Sequence, residues 1–136
     1  MNKVLGVALV VLALAVISIP QFTTCESQGR TLALANGKTT PMKCTWTARA
    51  EIAAGVPVLA IGAMMLFARK KESLRFLGGL GAVLGVFTML LPTSLIGVCS
   101  GAMVCHTVMK PSLLTLGSVI TAAGLAGMVL SMRKNE

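Results

Sequence analysis

The sequence predicts an all-α fold: an integral membrane four-helix bundle built from two tandem helical hairpins, with a disulfide-braced extracytoplasmic cap. First, the 136 residues are 55% hydrophobic and only 12% charged, which is too apolar for a soluble domain of this size. Second, the apolar residues fall in four blocks, each near the length of a membrane-spanning helix. Third, two halves of the chain share one pattern of proline, cysteine and methionine. Together these observations predict a chain surrounded by lipid.

The shared pattern divides the chain into halves of about 1–71 and 72–136. In each half an apolar run ends at a proline, and a cysteine, a gap, a Met-x-Cys motif and a second apolar run follow. The residues of the pattern are Pro20, Cys25, Met42 and Cys44 in the first half, and Pro92, Cys99, Met103 and Cys105 in the second. Because an internal repeat defines the architecture, we expect a single domain, 1–136, made of two similar hairpins.

The predicted spans cover about residues 4–20, 50–68, 74–91 and 112–132. The first apolar block lacks the small residues that a signal-peptide cleavage site requires, so we expect an uncleaved span. The loop after this block contains Asn36-Gly37, flanked by residues 31–34 and 38–40. This dipeptide favours a tight turn, and it predicts a small β-hairpin in the loop.

Small residues recur at helical spacing in spans two, three and four. Helices in lipid associate through close backbone packing, because the surrounding acyl chains remove the hydrophobic driving force. The expected contact faces are Glu51, Gly55, Val58 and Gly62 in span two, Gly78, Gly81 and Gly85 in span three, and Gly117, Thr121, Gly124 and Met128 in span four. Gly81-x-x-x-Gly85 has the spacing of a tight helix contact. These faces predict a compact bundle.

Basic residues predict the orientation in the cell (inner) membrane. Arg69, Lys70 and Lys71 form a dense cluster between spans two and three, and such clusters stay on the cytoplasmic side. Both termini are then cytoplasmic, and all four cysteines lie outside, where disulfides persist. We assign the net charge of +8 to contacts with lipid head groups. The chain contains no nucleic-acid-binding motif, so we expect no nucleic-acid partner.

Four cysteines allow three disulfide pairings, and the sequence leaves the choice open. Pairing within each loop joins Cys25 to Cys44 and Cys99 to Cys105, whereas crossed pairing ties the two halves together. In either case each bridge contributes on the order of 2–4 kcal/mol. The alternative is redox chemistry, because the layout resembles that of quinone-linked membrane thiol-disulfide oxidoreductases. Neither loop, however, contains the Cys-x-x-Cys spacing of a reactive pair.

Soft ligands beside the cysteines raise a third hypothesis, Cu(I) handling. Thiolate and thioether groups select Cu(I). The weak candidate ligands are Met42, Cys44, Met103, Cys105 and His106. His106 is the single histidine of the chain, and no Met-x-x-Met spacing occurs in the loops. We therefore expect neither a bound metal nor a cofactor.

Glu51, Trp46 and His106 complete the candidate functional residues. A carboxylate in a membrane span is a functional candidate by default. In the structural interpretation Glu51 lies near the interface, where a helix N-terminus favours negative charge, and it pairs with Arg49 or Lys43. Trp46 fits an interfacial aromatic belt. The sequence contains no nucleotide-binding glycine loop, catalytic triad or acid pair, so we expect a non-catalytic protein.

The two Met-x-Cys motifs also carry a family resemblance. The segments Met42-Lys43-Cys44-Thr45-Trp46-Thr47 and Met103-Val104-Cys105-His106-Thr107, together with Ala50-Glu51 and Cys99, resemble a family of small bacterial and archaeal four-span membrane proteins that has no assigned activity. The likeness covers nearly the whole chain, and it implies an accessory role beside ATP-driven exporter permeases. Thr45 stands where the family pattern suggests a histidine, which weakens the case for a symmetric Cys-His metal site. We expect a non-catalytic accessory subunit or scaffold, with the oxidoreductase as the alternative and Cu(I) handling as the third possibility.

Overall fold

The computed structural model describes residues 2–23, 32–33, 35, 37, 39–40, 43–97 and 105–133. Within these ranges the helices are α1 (Asn2–Thr23), α2 (Lys43–Phe67), α3 (Lys71–Leu90) and α4 (Lys110–Arg133). A π-helical turn at Leu91–Leu95 continues α3, and a second at Cys105–Met109 leads into α4. The two-residue strands β1 (Leu32–Ala33) and β2 (Thr39–Thr40) lie between α1 and α2.

Four segments of the described chain are long and apolar enough to cross a membrane. They are Lys3–Thr23, Thr45–Phe67, Lys71–Leu95 and His106–Arg133. This confirms the prediction of an all-helical, multi-pass membrane protein in a lipid bilayer. The second helix begins at Lys43, earlier than the expected start near residue 50. The apolar block marks only the part of a helix that lies in hydrocarbon, and the hydrogen-bonded backbone continues beyond it.

The helices pack in antiparallel pairs. α1 packs along α2 and α3 along α4, and the two pairs meet through the smaller contacts of α2 with α3 and of α1 with α4. Between α1 and α2, a Cβ atom on Gly62 would lie 3.0 Å from the backbone nitrogen of Val10 and 3.1 Å from the carbonyl oxygen of Gly6. Glycine therefore sets the distance between these two backbones.

Contacts between α3 and α4 are tighter still. A Cβ atom on Gly124 would lie 2.6 Å from the backbone nitrogen of Ala82 and 2.7 Å from the carbonyl oxygen of Gly78. A Cβ atom on Gly85 would lie 2.8 Å from the backbone nitrogen of Thr121. The expected contact faces of spans three and four therefore do meet.

Gly81 departs from that expectation. A Cβ atom there would meet the Ile61 side chain at 3.9 Å and the Cα of Gly124 at 4.0 Å, which are ordinary van der Waals distances. The tight face of α3 is therefore Gly78 and Gly85, two helical turns apart, and not the Gly81-x-x-x-Gly85 motif. Two turns bring residues back to the same face almost in register.

Most side chains buried midway along the helices are apolar. They include Ala13, Val58, Ala82 and Ile120. The buried polar residues of the described chain are Thr45, Thr47, Glu51, Thr88 and Ser131. Among them, Thr45, Thr47 and Ser131 lie near the ends of their helices.

The predicted hairpin is present in the loop after α1. β1 and β2 pair antiparallel, with Leu32 opposite Thr40 and Ala33 opposite Thr39. Gly37 lies in the turn with a φ of 77°, a left-handed conformation that glycine adopts without steric cost. The turn signal in the sequence therefore identified this hairpin correctly.

Candidate functional site

The candidate site residues that the structure describes lie toward one end of the bundle, which we call the cysteine end. It is the end at which α1 finishes at Thr23, α2 begins at Lys43, the α3 extension finishes at Leu95 and the turn into α4 begins at Cys105. The short connection at residues 68–70 lies at the opposite end. This placement follows from the antiparallel packing of consecutive helices.

The cysteines of the two Met-x-Cys motifs occupy similar backbone positions at this end. Cys44 is the second residue of α2, and Cys105 is the first residue of the helical turn that leads into α4. The side chains of both cysteines lie outside the described residues, as do Cys25, Cys99, Met42 and Met103. The disulfide and Cu(I) assignments therefore stay predictions. The backbone shows that Cys44 and Cys105 each lie at the start of the second helical segment of a hairpin.

Glu51 is the most unusual side chain of the described structure. It is fully buried, with 0% of its surface exposed, although α2 is a membrane helix. Both carboxylate oxygens lie below the surface, and neither has a hydrogen-bond partner among the described residues. Burying such a group costs several kilocalories per mole unless a proton, a cation or a donor compensates it. A buried carboxylate without a donor is a functional candidate with a physical basis.

The depth of Glu51 follows from where α2 starts. Since the helix begins at Lys43, Glu51 lies in the third turn of α2 and not at its N-terminus. Glu51 and Thr88 lie at similar depth, because they are nearly equally far from the connection at residues 68–70. Thr88 is also fully buried, but its hydroxyl donates to the carbonyl oxygen of Leu84 at 2.9 Å. The Thr88 hydroxyl therefore bonds within its own helix and donates no hydrogen bond to Glu51.

The predicted pairing of Glu51 with Arg49 is wrong. The guanidinium carbon of Arg49 lies 5.4 Å from the centre of the Trp46 ring, within the range of a cation–π contact. Residues three apart share one face of a helix, whereas residues two apart point in nearly opposite directions. Arg49 therefore reaches Trp46 and not Glu51. The other predicted partner, the Lys43 side chain, lies outside the described residues.

Trp46 itself is half exposed, at 52% of its surface. Its indole lies at the cysteine end of α2, where the side chain meets the membrane interface. The Arg49 guanidinium over the ring adds a positive charge at the rim of the bundle. This arrangement suits a contact with head groups or with another protein, and it is separate from the buried Glu51.

Thr47 is a site residue that sequence reasoning missed. It is fully buried, and its hydroxyl donates to the carbonyl oxygen of Gly97 at 2.7 Å. Gly97 has a φ of 81°, a value that favours glycine. The bond ties α2 to the segment that follows α3, one helical turn from Glu51. The only signal in the sequence was a small polar residue four positions before a buried carboxylate.

His106 lies apart from the buried groups. Its side chain is exposed in the turn before α4, whereas Met109, three residues later, is fully buried in the core. Among the described residues, the structure contains no cluster of three or more histidine, cysteine or acidic side chains able to hold a metal ion. Glu51 is thus the titratable side chain that the described structure buries at this end.

Comparison with known proteins gives one match. A family model described as "Domain of unknown function (DUF4418)" matches residues 3–130, a range that includes every candidate site residue. No curated protein and no solved structure matches the chain.

Proposed function

The chain belongs to the DUF4418 family, as the resemblance of its Met-x-Cys motifs implies, and we propose that it is a non-catalytic membrane accessory subunit or scaffold. The expected partner is an ATP-driven exporter permease. Its extracytoplasmic cap would be stabilised by the disulfides of Cys25, Cys44, Cys99 and Cys105.

One observation carries this proposal: the centre of the bundle is an apolar core in which the helices pack closely at glycine positions. Midway along the helices the buried side chains include Ala13, Val58 and Ile120, and close backbone contacts at Gly62, Gly85 and Gly124 hold each hairpin together. A transport pathway needs polar groups or water along its length. A packed apolar centre instead favours a rigid body that acts through its outer surface.

We propose the orientation with both termini cytoplasmic. The exposed basic residues Lys3, Arg69, Lys70 and Arg133 lie at the end opposite the cysteines. Basic residues in short loops and tails stay on the cytoplasmic side. The cysteine end would then face the oxidising side of the membrane, where disulfides are stable.

Purification from native membranes in a mild detergent tests the accessory role. We expect the full chain, carrying an affinity tag, to recover a permease in a fixed ratio. In the Gly124→Ala variant the α3–α4 contact is broken, and recovery of the permease should fall. Recovery of the wild-type chain alone, in two detergents of different strength, would overturn the proposal.

The oxidoreductase alternative is favoured by one observation, the backbone position of Cys44 and Cys105. Each lies in the first turn of a helix, where the helix dipole stabilises a thiolate. Non-reducing electrophoresis of the same purified material separates the two functions. If Cys44→Ser or Cys105→Ser captures a second protein as a mixed disulfide, the redox function is supported. If the permease is recovered without any disulfide link, the accessory role is supported.

A further inference from the structure

A groove of 590 Å³ lies between α2 and α3 on the membrane-facing surface of the bundle. Its walls are apolar along most of its length, and the side chains that form them are Pro57, Ala60, Ile61, Met64, Phe76 and Leu80. Met64 and Phe76 are 58% and 72% exposed, so they form walls and do not fill the groove. It exists because α2 and α3 pack less extensively than the helices within each hairpin.

The groove runs toward the short connection between α2 and α3. Glu72 and Ser73 lie at that end of it. A neighbouring hollow lined by Ala63, Phe67 and Ala68 shares Met64, Ser73 and Leu77 with it, so the apolar surface continues to the connection at residues 68–70. A chain-like ligand lying in the groove would therefore emerge at this connection.

The connection itself is positively charged. Arg69 and Lys70 are both exposed, and neither forms an ion pair within the part of the chain that the structure describes. Glu72 at the groove mouth carries the opposite charge, but it is one acid beside several basic residues. The first turn of α3 starts here too, and Lys70 at its N-terminal end makes no side-chain capping bond. An anionic group is thus favoured where the apolar groove ends.

We propose that this groove is a binding site for an anionic phospholipid. One acyl chain lies against Pro57, Ala60 and Phe76, and the phosphate lies beside Arg69 and Lys70. The apolar walls of the groove end at a basic connection. This pattern matches the apolar tail and anionic head of a phospholipid, and it favours a lipid over an apolar helix of a partner protein. The proposal does not depend on the accessory function.

Lipid binding to the purified full-length chain tests the site. Phosphatidylglycerol and phosphatidylcholine with identical acyl chains are titrated separately, and the bound lipid is counted by native mass spectrometry. Both lipids carry a phosphate, but the choline cation of phosphatidylcholine cancels its charge, so two basic residues are expected to favour phosphatidylglycerol by about thirtyfold. In the double variant Arg69→Gln/Lys70→Gln, that preference should fall to nearly one. Arg133→Gln, which removes a basic residue at the same end but on α4, should leave it unchanged.

A second pair of variants tests the acyl-chain groove. Ala60→Trp fills it, and binding of both lipids should fall at least tenfold. Ala126→Trp places the same ring at an exposed position of α4, and binding should stay at the wild-type level.

Equal affinity of the wild-type chain for the two lipids would overturn the proposal. An Ala60→Trp variant that binds both lipids normally would also overturn it. If such a variant instead loses a protein partner, the groove binds that protein and not a lipid. The surface double variant keeps the test valid if Ala60→Trp does not fold.

Discussion

Replacing Gly124 by alanine is expected to lower the free energy of unfolding by about 3 kcal/mol, an overpacking cost at the upper end of the usual range. The added Cβ atom would lie 2.6 Å from the backbone nitrogen of Ala82 and 2.7 Å from the carbonyl oxygen of Gly78. Backbone atoms cannot rotate away as a side chain does, so α3 and α4 must separate along their length. Thermal or denaturant unfolding in a defined detergent measures the loss.

Gly79→Ala is the matched control for that measurement. A Cβ atom at Gly79 would meet only the sulfur of Met128, at 3.7 Å, which is an ordinary contact with a flexible side chain. Alanine also has the higher helix propensity, by about 1 kcal/mol in water. Gly79→Ala should therefore be neutral or stabilising. If both variants lose the same stability, close packing of α3 on α4 is not what holds this hairpin together.

Replacing Glu51 by methionine is expected to raise the free energy of unfolding, by about 1–3 kcal/mol, which is the typical cost of a buried polar group without a partner. The carboxylate is fully buried, and its oxygens accept no hydrogen bond within the described residues. Methionine has a similar volume and adapts to an irregular site. The variant should therefore be more stable than the wild-type chain, while recovery of a partner through the outer surface should be unchanged.

Thr88→Val is the control, since Thr88 is equally buried but its hydroxyl is bonded to Leu84 within its own helix. The Leu84 carbonyl keeps its helical hydrogen bond in the variant, so stability should change little. A Glu51→Met variant that is less stable than the wild type would show that the carboxylate is held by structural hydrogen bonds. In that case Glu51 would be part of the scaffold.

Much of the fold was predictable because lipid imposes simple rules on sequence. Four apolar blocks indicate four helices, and glycine at helical spacing indicates which faces meet. The pairing of Gly78 and Gly85 with α4 follows from a seven-residue spacing. Gly6, which lies against Gly62, was not predicted, because one glycine in the first apolar block forms no pattern. Identifying it required the partner helix.

The site was harder to predict, because hydropathy marks where hydrocarbon begins and not where a helix begins. The expected start of α2 near residue 50 placed Glu51 in the first turn of the helix, whereas the helix begins at Lys43. Because Arg49 and Glu51 then both lie within regular helix, two residues apart, their side chains point in nearly opposite directions. The hydrogen bond from Thr47 to Gly97 joins residues that are distant along the chain, and no local sequence pattern predicts such a contact.

The most direct test of the account is the side of the membrane on which each end of the bundle lies. In a chain whose native cysteines are replaced by serine, Ser94→Cys places one thiol at the cysteine end and Lys70→Cys places one at the connection between α2 and α3. A membrane-impermeant maleimide applied to intact cells is expected to label the Ser94→Cys chain, and to label the Lys70→Cys chain only after the cells are opened. Labelling of both chains in intact cells, or of Lys70→Cys alone, would contradict the four-span bundle with an extracytoplasmic cysteine end.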